Sequence, residues 1–185
     1  MNWEPLLASI CQELKSGVVL EGIEKEEHFE RQFVEEIVRR CVASHPSHRD
    51  LKVATHPWTK PDTDKPHSAE LRCKIKCWKD CKEWANVEAW GMRHTLDMFV
   101  WDKTTDDHEC IAVEIKFCKV KTGRMPTGEF QRMLGQSLLF LGPQNHKAVI
   151  SVFGFRGDAS GALQDNVMEE FLRSIGVWPV VLRVP

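Results

Sequence analysis

Two carboxylates and a lysine, Asp97, Glu114 and Lys116, are the residues of this chain whose types and spacing best suit chemistry. They occur in two segments, 95–101 and 111–117, that alternate bulky apolar and polar residues as β-strands do. The segment between them is polar and rich in Thr and Asp, which is typical of a turn. If that turn is symmetric, Asp97 lies directly opposite Glu114, with their Cβ atoms about 5 Å apart, and Lys116 projects from the same face.

Opposed carboxylates repel each other and destabilise a hairpin, so something must offset the repulsion. A divalent cation is the simplest candidate, because hard cations bind carboxylate oxygens. The alternative is a solvated surface on which Glu114 pairs with Lys116 or Lys103.

The other face of the predicted hairpin is wholly apolar and is expected to be its only core-facing side. On the charged face, Lys116 would lie opposite Thr95. The expected apolar pairs are Leu96 with Ile115, Met98 with Val113 and Val100 with Ile111.

The length of 185 residues predicts a single domain, and 42% hydrophobic and 28% charged residues are typical of a globular protein. No membrane segment or signal sequence is evident. An odd count of seven cysteines argues against a secreted disulfide framework, so we expect a cytoplasmic protein with reduced thiols. The net charge of −2 gives no global basic field, but basic residues cluster after the hairpin. They are Lys116, Lys119, Lys121, Arg124 and Arg132.

Two helices are predicted before the hairpin. The first, capped by Asn2, forms a helical N-terminal extension within residues 1–20. The second covers 23–41 and carries Glu30 near the middle of its apolar stripe, with Glu26 near one edge. A carboxylate facing the core is costly unless it is paired or bound to a metal. The alternatives are that Glu30 reaches out to solvent, or that the helix is rotated.

A loop and helix insertion is predicted around residues 45–90, where prolines interrupt regular structure. It contains a short strand at Leu51–Ala54 and a helix that begins near Ser68. In that helix Cys73, Cys77 and Cys81 recur every four residues. Packing as small apolar residues is favoured over a metal cluster, since three thiols on one helix would need a ligand from elsewhere. The alternation at 71–77 also permits a strand.

The C-terminal third predicts helix, strand, helix and strand, at 127–141, 148–153, 163–175 and 177–184. The segment 148–153 is an almost continuous apolar run, which is typical of a strand buried on both faces. Pro179 favours an edge position for the last strand. We therefore predict an α/β protein with a central mixed β-sheet flanked by helices.

The order of these residues resembles the PD-(D/E)XK nuclease superfamily. The resemblance rests on Leu96-Asp97 on one strand, Val113-Glu114-Ile115-Lys116 on the next, and the following helix with Gly135-Gln136-Ser137-Leu138-Leu139-Phe140. An upstream helix with an inward glutamate, here Glu30, completes the pattern, which covers residues 23–153. One departure is that Leu96, not proline, precedes Asp97. The resemblance implies a restriction-endonuclease-like core and a nuclease activity.

The resemblance also implies roles for individual residues. Lys116 would position the attacking water and stabilise the developing negative charge. Gln136 would orient Lys116 or contact the nucleic-acid backbone, and Gln131 is the alternative amide. The implied ligands of Mg²⁺ or Mn²⁺ are Asp97, Glu114, the Ile115 carbonyl and Glu30, with Glu26 as the alternative to Glu30.

The expected substrate is nucleic acid, with DNA preferred over RNA and no membrane involved. Phosphates would be held by Lys119, Lys121, Arg124 and Arg132, mostly without reading sequence. Sequence-specific cleavage would require a homodimer or a partner protein. The competing interpretations are a non-catalytic nucleic-acid or protein interaction module on the same fold, and a cysteine-based metal or redox protein.

Overall fold

A computed structural model describes residues 1–17, 23–55, 86–89, 92–105, 109–120, 127–142, 146–157 and 166–184. The predicted helix after Ser68, with its three cysteines, lies outside these residues. The described cysteines form no disulfide bond, and three of them are buried. They are Cys11, Cys41, Cys110 and Cys118. Within the described ranges, no helix has the length and apolar character needed to cross a membrane.

The first helix, α1 (Glu4–Ser16), lies within the predicted residues 1–20, and its N-cap residue is Trp3 rather than Asn2. The side chain of Asn2 accepts a hydrogen bond from the Glu4 backbone N–H at 3.1 Å, and Gly17 ends the helix. Its apolar stripe is buried in the main hydrophobic core rather than lying apart from it. The helix thus packs as part of the main core.

The second predicted helix forms in three continuous parts. It begins as α2 (Glu26–Phe29), widens into a π-helical turn (Glu30–Val34), and continues as α3 (Glu35–Ser44). Within the π-helical turn, the backbone N–H of Glu35 donates to the carbonyl of Glu30, five residues earlier. Such wide turns are rare and frequently occur at functional sites.

One five-stranded mixed sheet forms the centre of the molecule, in the order β1-β4-β5-β6-β7. The pairs β1–β4 and β4–β5 are antiparallel, whereas β5–β6 and β6–β7 are parallel. A separate antiparallel pair, β2–β3, was not predicted. The strands are β1 (Leu51–Thr55), β2 (Asn86–Ala89), β3 (Met92–Thr95), β4 (Met98–Asp102), β5 (Cys110–Lys119), β6 (His146–Arg156) and β7 (Val177–Val184).

The register of the β4–β5 hairpin is the predicted one, since Met98 pairs with Val113 and Val100 with Ile111. However, β4 begins at Met98, not at Thr95. Thr95 belongs to β3 and pairs with Asn86, so the prediction that it lies opposite Lys116 is wrong.

Both faces of the hairpin are buried, which corrects the prediction of a single core-facing side. Met98, Val100, Ile111, Val113 and Ile115 join the core under α1 and α3. The opposite face supplies a second core that contains Leu96, Phe99, Trp101 and Phe140. Leu96 and Ile115 therefore lie in different hydrophobic clusters, although the hairpin pattern predicts that they pair on one face.

The C-terminal third follows the predicted order. The helices are α4 (Thr127–Phe140) and α5 (Asn166–Ser174). The strand β6 is buried along most of its length, and β7, which contains Pro179, lies at an edge of the sheet. The protein is therefore α/β, with a mixed sheet flanked by helices.

Candidate functional site

Glu114 lies on β5, the central strand, and only 4% of it is exposed to solvent. Its Oε2 atom is buried and has no hydrogen-bond partner among the described residues. Burial raises the pKa of Glu114 to about 9; the charges of Asp97, Glu26 and Glu30 add to the rise and Lys116 opposes it. The alternative of a solvated Glu114 is wrong, and Lys103 pairs instead with Asp50 at 3.8 Å.

Asp97 lies immediately before β4, at the place where the hairpin register continues toward Glu114. Its Oδ2 atom accepts a hydrogen bond from the backbone N–H of Ile115 at 2.8 Å. This bond fixes the carboxylate beside β5. Among the charges that raise the pKa of Glu114, that of Asp97 has the largest effect.

Lys116, two residues after Glu114, is held by Glu26 of α2. The Lys116 ammonium donates a hydrogen bond to Glu26 Oε1 at 3.1 Å, and the Phe117 backbone N–H donates to Glu26 Oε2 at 3.0 Å. Burial lowers the pKa of Lys116, but Glu26, Asp97 and Glu114 outweigh it, and the pKa is raised overall. Lys116 is therefore a charged ammonium at neutral pH.

Glu30 faces inward, as its place in the apolar stripe predicted, and it is buried. It lies at the start of the π-helical turn, and its negative charge contributes to the raised pKa of Glu114. The alternative in which Glu30 reaches out to solvent is wrong. The helix thus brings two glutamates to β5: Glu26, which bonds Lys116 and Phe117, and Glu30, which is buried within electrostatic reach of Glu114.

A close contact between Phe29 and Gly154 holds this helix on the sheet. A Cβ atom on Gly154 would lie 2.6 Å from Phe29 Cζ, so only glycine admits the ring there. Gly154 pairs with Phe117 on β5, and the Phe117 and Phe29 rings lie 5.5 Å apart. The same aromatic contact therefore sets the distance from both helix glutamates to β5.

A buried pair of serines joins α4 to the sheet beside Glu114. Ser137 of α4 and Ser151 of β6 share a hydrogen bond of 2.6 Å, and Ser151 pairs with Glu114 across β5 and β6. This link could not be predicted from the sequence, because a serine in an apolar helix and a serine in an apolar strand do not by themselves indicate a mutual bond.

The fit of this site to a metal ion depends on its oxygen atoms. Among the residues that the structure describes, no three Asp, Glu, His or Cys side chains are arranged to hold one ion. The donor types nevertheless suit Mg²⁺ or Mn²⁺, since Glu114 presents a buried, unpartnered carboxylate oxygen and Asp97 lies beside it.

The remaining residues of the predicted site lie in different parts of the chain. Gln136 is half-buried on α4, and Gln131 is exposed there. Lys119 is exposed at the end of β5, and Arg132 is exposed on α4 and paired with Glu129 at 3.5 Å. Lys121 and Arg124 lie outside the described residues. The roles of Gln136, the Ile115 carbonyl and the basic residues stay predictions.

The comparisons with known proteins give no family for this chain. No protein-family model matches it, and no curated protein matches its sequence significantly. Its function must therefore be argued from the site.

Proposed function

We propose that this chain is a metal-dependent phosphodiester hydrolase, a nuclease that acts on DNA with Mg²⁺ or Mn²⁺. The observation that carries the proposal is Glu114. It is a buried carboxylate on the central strand, flanked by the charges of Asp97 and Lys116. A carboxylate with a strongly raised pKa is costly to keep in a core, and such groups cluster at functional sites.

A restriction-endonuclease-like core is part of the proposal. A helix that presents glutamates precedes the antiparallel strands β1, β4 and β5, and α4 and the parallel strand β6 follow them. Asp97, Glu114 and Lys116 come together on neighbouring segments of this sheet, in the order that the family resemblance implies. This arrangement supports the fold assignment, with Asp97 just before its strand rather than within it.

In the proposed mechanism, Asp97 and Glu114 would hold the cation, together with the backbone carbonyl of Ile115 and Glu30. When bound, the ion lowers the pKa of a water molecule and stabilises charge on the phosphate. Glu114 gives up its proton on binding, because its carboxylate is neutral at pH 7 without the ion. Lys116 stabilises the negative charge that develops on the phosphate. Lys119 and Arg132 contact the phosphates on either side of the one that is attacked.

The test is cleavage by the purified full chain of plasmid DNA, single-stranded DNA and RNA, each with Mn²⁺, Mg²⁺ or EDTA. We expect DNA cleavage with either metal and none with EDTA or in Glu114→Gln. The matched control is Glu109→Gln. Glu109 lies just before β5, and its carboxylate pairs with Lys147. DNA cleavage by this variant should equal that by the wild type. Cleavage of RNA alone would reassign the substrate, and no cleavage of any substrate would contradict the proposal.

The second candidate is a non-catalytic nucleic-acid-binding module on the same fold. The observation that favours it is the lack, among the described residues, of a ready set of three metal-binding side chains. Such a module would bind DNA in EDTA with a salt-dependent affinity and would cleave none with Mn²⁺. Fluorescence anisotropy in parallel with the cleavage assay separates the two candidates.

A further inference from the structure

Glu26 bridges two consecutive residues of β5, and each of its carboxylate oxygens has its own donor. Oε1 accepts from the Lys116 ammonium at 3.1 Å, and Oε2 accepts from the Phe117 backbone N–H at 3.0 Å. The backbone bond fixes the orientation of the carboxylate. The ammonium is therefore bound to a rigid anchor on a neighbouring helix.

We propose that Glu26 is a positioning residue and not a metal ligand. It draws the Lys116 ammonium away from Asp97 and Glu114, so that these two carboxylates stay available to a divalent cation. This inference rests on the proposed function, because it assumes that a cation binds between Asp97 and Glu114.

The Lys116 ammonium can compete with a metal ion because of its positive charge and the length of its side chain. Lys116 lies two residues from Glu114 on the same strand face, and the charges of both Asp97 and Glu114 act on it. Its ammonium sits on a flexible four-carbon stem and can turn toward whichever carboxylate is nearest. Without Glu26, the ammonium would turn toward Asp97 and Glu114 and oppose the binding of a metal ion there.

If Glu26 were a metal ligand instead of a positioning residue, its contact with Lys116 would have a different effect on metal binding. Each of its oxygens accepts one hydrogen bond and keeps a second lone pair. A metal bound to Glu26 would therefore share the carboxylate with the Lys116 ammonium, and the two like charges would repel each other. The two roles therefore predict different dependence on Lys116.

The experiment is a double-mutant cycle on Mn²⁺ affinity, measured by calorimetry on the full chain without nucleic acid. Glu26→Gln should weaken Mn²⁺ binding by about 10-fold or more, the scale for loss of an outer-shell partner. In a Lys116→Ala background, the same change should alter the affinity by no more than about twofold, since no ammonium remains to compete. An equal loss in both backgrounds would show that Glu26 is a ligand and would overturn the inference.

The control is Glu27→Gln, which removes an exposed neighbouring carboxylate that pairs with Arg31. It should leave Mn²⁺ affinity unchanged in both backgrounds. Gln at position 26 keeps a carbonyl oxygen for the Phe117 N–H, so the helix should remain docked. If Glu26→Gln does not fold, Glu26→Asp replaces it, because the shorter carboxylate cannot reach both donors, and the same dependence on Lys116 is expected.

The outcomes also separate this inference from the proposed function. Wild-type protein that binds Mn²⁺ and cleaves DNA, with equal effects of Glu26→Gln in both backgrounds, overturns the role of Glu26 alone. Wild-type protein that binds no Mn²⁺ overturns the proposed function, and the role of Glu26 with it.

Discussion

Glu114 shows how the charge state of a single residue depends on its burial. The sequence predicts two ionised carboxylates that repel each other at Asp97 and Glu114. In the structure, burial raises the pKa of Glu114 to about 9, so its carboxyl is protonated and uncharged at pH 7. Protonation thus relieves the repulsion in the metal-free protein, and a cation would do so by displacing that proton.

The raised pKa of Glu114 makes the stability of the metal-free protein depend on pH. The folded state holds this proton more tightly than the unfolded state does, whose pKa is near 4.5. The stabilising contribution is therefore complete below pH 4.5 and is lost as pH rises toward about 9. Urea unfolding in EDTA across this range should show a falling free energy of unfolding. The fall should be smaller in Glu114→Gln; parallel curves for the two proteins would contradict the raised pKa.

Asp97→Asn tests whether Asp97 binds the cation. The amide oxygen can still accept the Ile115 N–H, while a negative charge beside Glu114 is removed. The metal-free variant should be at least as stable as the wild type, and it should lose most of the stabilisation that Mn²⁺ provides. Thermal unfolding with and without Mn²⁺ measures both effects. Asp50→Asn, which removes an exposed partner of Lys103, should respond to Mn²⁺ as the wild type does.

Lys116→Ala separates metal binding from chemistry. The variant should bind Mn²⁺ at least as well as the wild type, because a nearby positive charge is gone. Single-turnover cleavage should fall by roughly 10²–10³, the effect of removing one stabiliser of transition-state charge. Lys119→Ala is the control, because it should weaken DNA binding slightly and leave the chemical step nearly unchanged. Cleavage by Lys116→Ala at the wild-type rate would refute the role given to this lysine.

Among the elements, the helix from α2 to α3 determines most of the site, and its position depends on one glycine. Gly154→Ala would place a Cβ atom 2.6 Å from Phe29 Cζ and 2.7 Å from Cε1, so the ring must move. We expect a loss of about 1–3 kcal/mol in the free energy of unfolding, the usual cost of overpacking. Mn²⁺ affinity should fall too, because Glu26 and Glu30 move with Phe29.

Gly135→Ala is the matched control for this substitution. Gly135 lies within α4, and a Cβ atom there would have nothing within 4 Å. Alanine is a better helix former than glycine, so this variant should be as stable as the wild type or more stable by up to about 1 kcal/mol. Equal losses in Gly154→Ala and Gly135→Ala would contradict the role of the Phe29 contact.

At the scale of the whole molecule, the sequence predicted best what depends on local periodicity. The register of β4–β5 follows from alternation on both sides of one symmetric turn, and the pairing of Met98 with Val113 confirms it. The long apolar run of β6 and the edge position of β7 were likewise predictable. Each of these features is determined within a short stretch of chain.

What the sequence did not reveal depends on contacts between distant segments. Thr95 alternates with the residues of the hairpin, yet it pairs with Asn86 in the separate β2–β3 ladder. The second core appears only when Phe140 of α4 packs over Phe99 and Trp101. The role of Glu26 depends on a contact with Lys116, 90 residues further along the chain. No periodicity within one segment can indicate such partners.

The π-helical turn also explains an unusual repeat in its own helix. The buried residues recur in pairs at intervals of four: Phe29 and Glu30, Phe33 and Val34, Ile37 and Val38, Cys41 and Val42. In a regular α-helix a four-residue step overshoots a full turn by about 40°, so three steps would rotate the buried face by about 120°. The wide turn absorbs this rotation and keeps the face in phase from Phe29 to Val42.

It follows that the helix contains one residue more than its buried face requires. Deletion of the exposed Gln32 would shorten the path from Phe29 to Cys41 from twelve residue steps to eleven over three turns, about 3.7 per turn, which a regular α-helix can accommodate. The deletion variant should therefore keep its thermal stability and its Mn²⁺ response, whereas inserting one alanine after Gln32 should destabilise the protein. The extra residue would then be an insertion that the fold tolerates by widening a single turn.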